Sequence, residues 1–143
     1  MKPALVLLLL AGCADTQIAR VLDDFHDAAA KADEERYFAH FAKEGVFLGT
    51  DATERWTVAE FRAYARPFFS KGRGWTYVPR DRHIDVFDDF AMFDEMLWHE
   101  KYGELRGTGV LRNVDGDWKI LQYNLTFTIP NEKAAGLVEL LAK

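Results

Sequence analysis

A chain of 143 residues, 49% apolar and 29% charged, is long enough for one compact domain with a real core and too short for two. Its formal net charge is −5, and its lysines and arginines form no basic block, so it lacks the electrostatic footprint of a nucleic-acid binder and no nucleic-acid partner is expected. Aromatic residues make up 14% of the chain, with eleven Phe and four Trp, more large rings than a core of this size needs. Some of them are expected to line a cavity or a subunit contact.

The chain opens "MKPALVLLLLAGCAD": one positive residue, Lys2, then an apolar run from Ala4 to Leu10, then small residues. This is the pattern of an export signal, and the run is too short for a bilayer span, which takes about 20 apolar residues. "LAGC" resembles the bacterial lipobox, in which the signal is cut before a cysteine that then carries lipid. Cys13 is the only cysteine, so it has no internal disulfide partner, which suits that use. The expected organisation is a signal over 1–12, a lipidated Cys13 with a short tether over 13–15, and one domain over 16–143. Cleavage would remove Lys2 and leave the chain one charge more negative. The resemblance implies a membrane partner through the lipid and a place in the bacterial envelope, on the periplasmic or extracellular face. Ala14 after the cysteine leans towards the outer membrane where the host has one.

Ile18, Val21, Leu22, Phe25, Ala29 and Ala32 recur at helical spacing, which predicts a first helix over about 16–32 capped by Thr16 or Asp15. Asp33 reads as the cap of a short second helix that turns Tyr37, Phe38 and Phe41 inward and ends near Gly45. A strand over 46–50 follows. "TVAE" (57–60) is a capping box that starts a third helix, with Phe61, Tyr64, Ala65 and Phe68 as its buried stripe and Pro67 in its last turn. Runs over 75–87, 91–102, 105–114 and 118–129 are rich in β-formers and predict an antiparallel meander, with Asp115-Gly116 as a type I′ hairpin turn. Ala134, Leu137, Val138 and Leu141 space a short C-terminal helix.

Helices followed by a long sheet give an α+β domain. "FLGTDATERWTVAEF", "RGTGVL" and "WKILQYNLTF" resemble the SnoaL-like branch of the nuclear transport factor 2 superfamily, and the order of elements over about 16–129 is similar throughout. The resemblance implies a cone-shaped, cystatin-like fold of three helices on a curved antiparallel sheet, a pocket at the wide end, and a homodimer through the outer sheet face. It implies no single activity, since the fold serves isomerases, cyclases, dehydratases and non-catalytic modules.

Candidate site residues come from strand alternation. Phe93, Glu95, Leu97 and His99 share one face and Met92, Asp94, Met96 and Trp98 the other, which would put Glu95 in the hollow, where a charge needs a partner. Arg106 on the next strand is the expected partner, either as a structural ion pair or as a substrate clamp with Glu95 as general base. Gln122, Asn124 and Thr126, on the face of Trp118 and Ile120, are candidates for a polar pocket wall. Asp51, Arg55 and Trp56 belong to a turn that either organises itself or meets a ligand at the pocket mouth. In the steroid isomerases of this superfamily a base stands near Leu48, which cannot act, and many relatives have His where Asn124 stands. His26, His40, His83 and His99 form no HExxH or other ligand cluster, and no phosphate loop, dinucleotide fingerprint or GxSxG elbow occurs, so neither metal nor cofactor is expected. The functional expectation is an envelope-anchored pocket protein for a small, partly apolar molecule. The alternatives are a dimeric interaction module with a vestigial pocket, or an isomerase, cyclase or dehydratase using a pocket carboxylate.

Overall fold

The computed structural model describes residues 13–142, so the expected signal over 1–12 lies outside the described residues. Helix α1 spans Ala14–Ala30 and starts directly after Cys13, with residues 14 and 15 in its first turn in place of a tether. Neither Thr16 nor Asp15 caps it. Cys13 holds the cap position but accepts from no helix amide; its thiol donates instead to the Asp15 carboxylate, whose charge lies at the positive end of the dipole. Two stripes run along α1. Ile18, Leu22, Phe25 and Ala29 enter the core, and beside them lie Ala19, Asp23 and His26. Ala32, at φ 54°, turns the chain out of the helix.

Helix α2 covers Glu34–Ala39, with Asp33 accepting from the Arg36 amide at 3.2 Å. It ends well before Gly45 because the sheet captures the chain: the Ile120 amide donates to the His40 carbonyl at 2.8 Å, and Phe41 begins strand β1 (Phe41–Leu48). Phe41 is buried, as expected, but from a strand. After β2 (Arg55–Thr57), helix α3 spans Val58–Phe69 behind a complete capping box in which Glu60 Oε2 accepts from the Thr57 amide at 2.8 Å. Its buried stripe is Phe61, Ala65 and Phe69; Tyr64 and Phe68, expected inside, are more than 40% exposed.

Strands β3 (Val78–Phe87), β4 (Phe90–His99), β5 (Gly103–Val114) and β6 (Asp117–Phe127) form the expected meander, closed by Asp115 and Gly116 at φ 53° and 94°. The sheet as a whole is mixed, in the order β2-β1-β6-β5-β4-β3, because β1 runs parallel to β6. The three helices cover one face of this curved sheet, which is the cone-shaped α+β architecture expected. The C-terminal helix α4 (Ala134–Leu141) forms but buries no residue.

Two bulges decide which side chains enter the cone. In β3 the pairing slips between Arg80 and His83, with Asp81 at φ 48°. In β6 Ile120 faces Leu111 and Gln122 faces Val110, leaving Leu121 without an opposite residue. A bulge switches the alternation of the residues beyond it. The inward set therefore passes from Tyr77, just before β3, and Pro79 to Arg82 and Ile84, and in β6 from Trp118 and Ile120 to Tyr123 and Leu125.

Candidate functional site

Glu95 lies on β4, inside the cone and fully buried, as strand alternation indicates. Its partners are not those expected. It sits opposite Gly107 on β5, whereas Arg106 sits opposite Met96, on the outer face and exposed. The cation that reaches Glu95 is Arg82, turned inward by the β3 bulge, whose Nε donates to Glu95 Oε2 at 2.7 Å. Arg82 Nη1 donates to Asp23 Oδ1 at 2.7 Å and to the Ala19 carbonyl at 3.1 Å, which ties β3 to the flanking stripe of α1. Burial works against the arginine charge, but Glu95 and Asp23 outweigh it and hold its pKa above the ordinary value.

The other carboxylate oxygen, Oε1, meets His26 Nε2 at 2.5 Å and accepts from the Tyr123 hydroxyl at 3.4 Å. Burial first, and the Glu95 charge second, push the Tyr123 hydroxyl well above its ordinary pKa, so it remains a donor. Gly107 makes room for this contact, since a Cβ there would run into the Tyr123 hydroxyl and lie 3.2 Å from Leu97. A carboxylate oxygen accepts, so His26 Nε2 is the donor in this contact and Nδ1 is the ring nitrogen that the contact leaves over. Nδ1 has no hydrogen-bond partner among the described residues, and it is not sealed in: of their buried side-chain polar atoms only Arg82 Nη2 lacks a partner.

His26 and Tyr123 form part of the wall of a cavity of about 510 Å³ between the helices and the inner face of the sheet. Glu95 stands behind them and is not itself part of the wall. The rest of the lining is mostly aromatic, including Phe25, Tyr37, Phe47, Phe61 and Trp75. Phe47 stacks on Phe61 at 3.9 Å between ring centres, and Phe25 on Tyr37 at 4.4 Å. The exposed or half-buried lining residues Trp56, Tyr64, Phe68, Tyr77, His99, Tyr102 and Glu54 mark its mouth. Burial pushes the Tyr77 hydroxyl up to about 12, so it too stays protonated at neutral pH. The surplus of rings in the composition is accounted for by this lining.

Of the other residues singled out in the sequence, Trp56 lines the cavity, while Asp51 and Arg55 are exposed and outside it. Asp51 organises its own turn, accepting from the Thr53 amide at 2.8 Å and from the Thr53 hydroxyl at 2.6 Å. Gln122, Asn124 and Thr126 project from the outer face, because the β6 bulge separates them from Trp118 and Ile120. No group of three or more His, Cys, Asp or Glu among the described residues is arranged to hold a metal ion.

A six-stranded curved sheet closed by three helices around an aromatic cavity defines the cystatin-like, nuclear transport factor 2-like class. Residues 18–130 match the SnoaL-like domain, and the chain belongs to that family. No curated protein matches it. Among solved structures it resembles a nuclear transport factor 2-like protein of unknown function from Pseudomonas putida KT2440, with TM-score 0.71 and 12% identity over 84% of this chain and 90% of that one. A protein named as a candidate scytalone dehydratase from Novosphingobium aromaticivorans gives TM-score 0.69 and 16% identity over 81% and 85%. A cystatin-like protein of unknown function from Nostoc punctiforme gives 0.65 and 18% over 78% and 89%. At these identities the likeness is one of fold.

Proposed function

We propose that the cone binds a small, largely apolar molecule and that His26, oriented by Glu95, exchanges a proton with it. The observation that carries this reading is the His26 ring, which lines the cavity: Nε2 is bonded to a buried carboxylate, and Nδ1 has no partner among the described residues. A histidine so held has a fixed tautomer, and the carboxylate stabilises the imidazolium that forms when Nδ1 takes a proton. Arg82 and Tyr123 keep Glu95 in place, and the aromatic wall supplies apolar contact and excludes water. The chemistry this supports is acid–base catalysis on a bound small molecule, as in the isomerase, cyclase or dehydratase alternative, with the histidine in place of the carboxylate as the group that meets the substrate.

Calorimetric titration with 2-ethylnaphthalene, an apolar probe of suitable size, tests the binding half of this reading. Saturable one-to-one binding is expected, and Thr50→Trp, at the mouth, should weaken it at least tenfold. Absence of saturable binding, or binding indifferent to Thr50→Trp, would contradict it.

Anchoring at the bacterial envelope through lipid on Cys13 is the second part of the proposal, and "LAGC" supports it. With α1 starting at Ala14, such an anchor would hold the domain close against the membrane. No helix among the described residues is long and apolar enough to cross a membrane. Intact mass of the protein from a bacterial membrane fraction should show a chain beginning at Cys13 with added acyl mass, and an unlipidated chain beginning at Met1 would refute the anchor.

A further inference from the structure

His99 lies on the same strand face as Glu95, four residues on, so the two backbones stand roughly 13 Å apart along β4. It lines the same cavity as His26, but is partly exposed where His26 is buried. Its tautomer is fixed from outside the cavity: Nδ1 accepts from the Lys101 amide at 3.1 Å, which leaves the proton of the neutral ring on Nε2. Nε2 has no partner among the described residues, nor is it one of their sealed, unpartnered polar atoms. The ring is clamped, stacked on Tyr102 at 4.7 Å and tilted against Tyr77 at 4.9 Å. Burial holds its pKa below the ordinary value, the Glu100 charge only partly opposing this and Lys101 reinforcing it, so the ring is neutral at pH 7.

From this geometry we infer that His99 is a positioning residue whose Nε2–H donates to a neutral oxygen acceptor at the mouth end of an elongated, planar, apolar ligand. The inference rests on the cavity-binding reading above. Neutrality of the acceptor follows from Glu54, whose carboxylate also lines the mouth and contributes to raising the Tyr77 pKa. A ligand carboxylate placed there would meet like charge and would be desolvated beside a donor that carries no charge of its own. The two histidines thus divide the work: His99 fixes one end of the molecule by its oxygen, and His26 meets the other.

Three probes of one shape separate the possibilities: 2-acetylnaphthalene, 2-ethylnaphthalene and 2-naphthoate, titrated calorimetrically into the protein and its variants. The parent should bind the ketone more tightly than the hydrocarbon, and the naphthoate most weakly. His99→Phe should lower ketone affinity roughly five- to tenfold, as the loss of one hydrogen bond does, while hydrocarbon affinity stays within about twofold. His99→Gln, which can present an N–H near the same place, should recover part of the ketone preference. Equal losses for ketone and hydrocarbon in His99→Phe, no loss for either, or naphthoate as the tightest probe would overturn the role of His99 while leaving the cavity reading intact. Failure of all three probes to bind the parent would overturn both.

Discussion

Arg82→Met removes the one arginine or lysine that reaches Glu95 among the described residues. The carboxylate would remain fully buried, with only His26 and a long bond from Tyr123 to compensate it. Breaking a buried pair in this way typically costs about 3–5 kcal/mol, because the surviving charge is left uncompensated. For a domain of this size that lowers Tm by roughly 10–20 °C, large but within the stability of an ordinary domain. Arg106→Met is the matched control: the same change on the arginine the sequence suggested, now exposed on the outer face, should alter stability by no more than about 0.5 kcal/mol. Removing both charges with Arg82→Met and Glu95→Leu should recover much of the loss, since a buried ion pair is often replaceable by apolar groups. Thermal and denaturant midpoints of the four proteins decide the matter. Equal midpoints for Arg82→Met and Arg106→Met would refute the assignment of the partner, and a double variant as unstable as Arg82→Met would refute the charge argument behind it.

Gly107→Ala should destabilise by about 1–3 kcal/mol, because its methyl runs into the Tyr123 hydroxyl, and Tyr123→Phe in the same chain should relieve part of that cost; equal stability of the single and double variants would contradict the packing argument. Burial lowers the pKa of His40 despite its bond to Asp24, and lowers that of His99, each from an ordinary value near 6.5. The unfolded chain therefore binds these protons at higher pH than the folded one, so stability should be full above about pH 6.5 and fall as pH drops below it. Denaturant midpoints should show a smaller fall in a His40→Gln, His99→Gln double variant, and a midpoint in the parent that is flat or rises between pH 7 and 5 would contradict this. Met92 and Trp98 are about half exposed on the outer face of the sheet, and a homodimer through that face is expected; sedimentation should show a dimer at high micromolar concentration that Trp98→Lys dissociates, and a parent that stays monomeric would refute it.

Local rules carried most of the fold. The spacing on α1, the Thr57–Glu60 capping box and the Asp115-Gly116 turn each lie within a few residues and formed as read. What failed needed knowledge of another strand. The end of α2 depends on pairing of residue 41 with residue 120, and the mixed sheet follows from the same contact. The site failed at its bulges. Alternation along β4 is unbroken and put Glu95 inside, but alternation along β6 breaks at Leu121, so Gln122 and Asn124 were assigned to the wrong face, and Arg82 was hidden by the irregularity at Asp81. Asp81 is of a residue type that tolerates positive φ, but so are Asp85, Asp88 and Asp89 nearby, so nothing singles it out as the bulge. One clue to His26 was present: Ala19, Asp23 and His26 share a helical stripe beside the apolar one, and a charged residue three positions before a histidine at the edge of a buried face marks a place where α1 meets something polar. On β5, Leu105, Gly107, Gly109 and Leu111 form the buried set, two small residues between two apolar ones, which leaves Arg106 outside. The turn over 49–56 was legible as a turn, and only Trp56 of its three candidates reaches the cavity.

The most direct test of the central claim is the nitrogen-15 spectrum of the His26 ring, recorded at neutral pH with and without 2-ethylnaphthalene and assigned through a His26→Gln variant. An Nε2–H signal that Glu95→Gln alters, together with an Nδ1 resonance that moves when the probe is added, is the result expected. A ring protonated on Nδ1 instead, or a His26 spectrum unchanged by the probe while outer-face residues respond, would contradict the claim that this histidine faces a ligand in the cone.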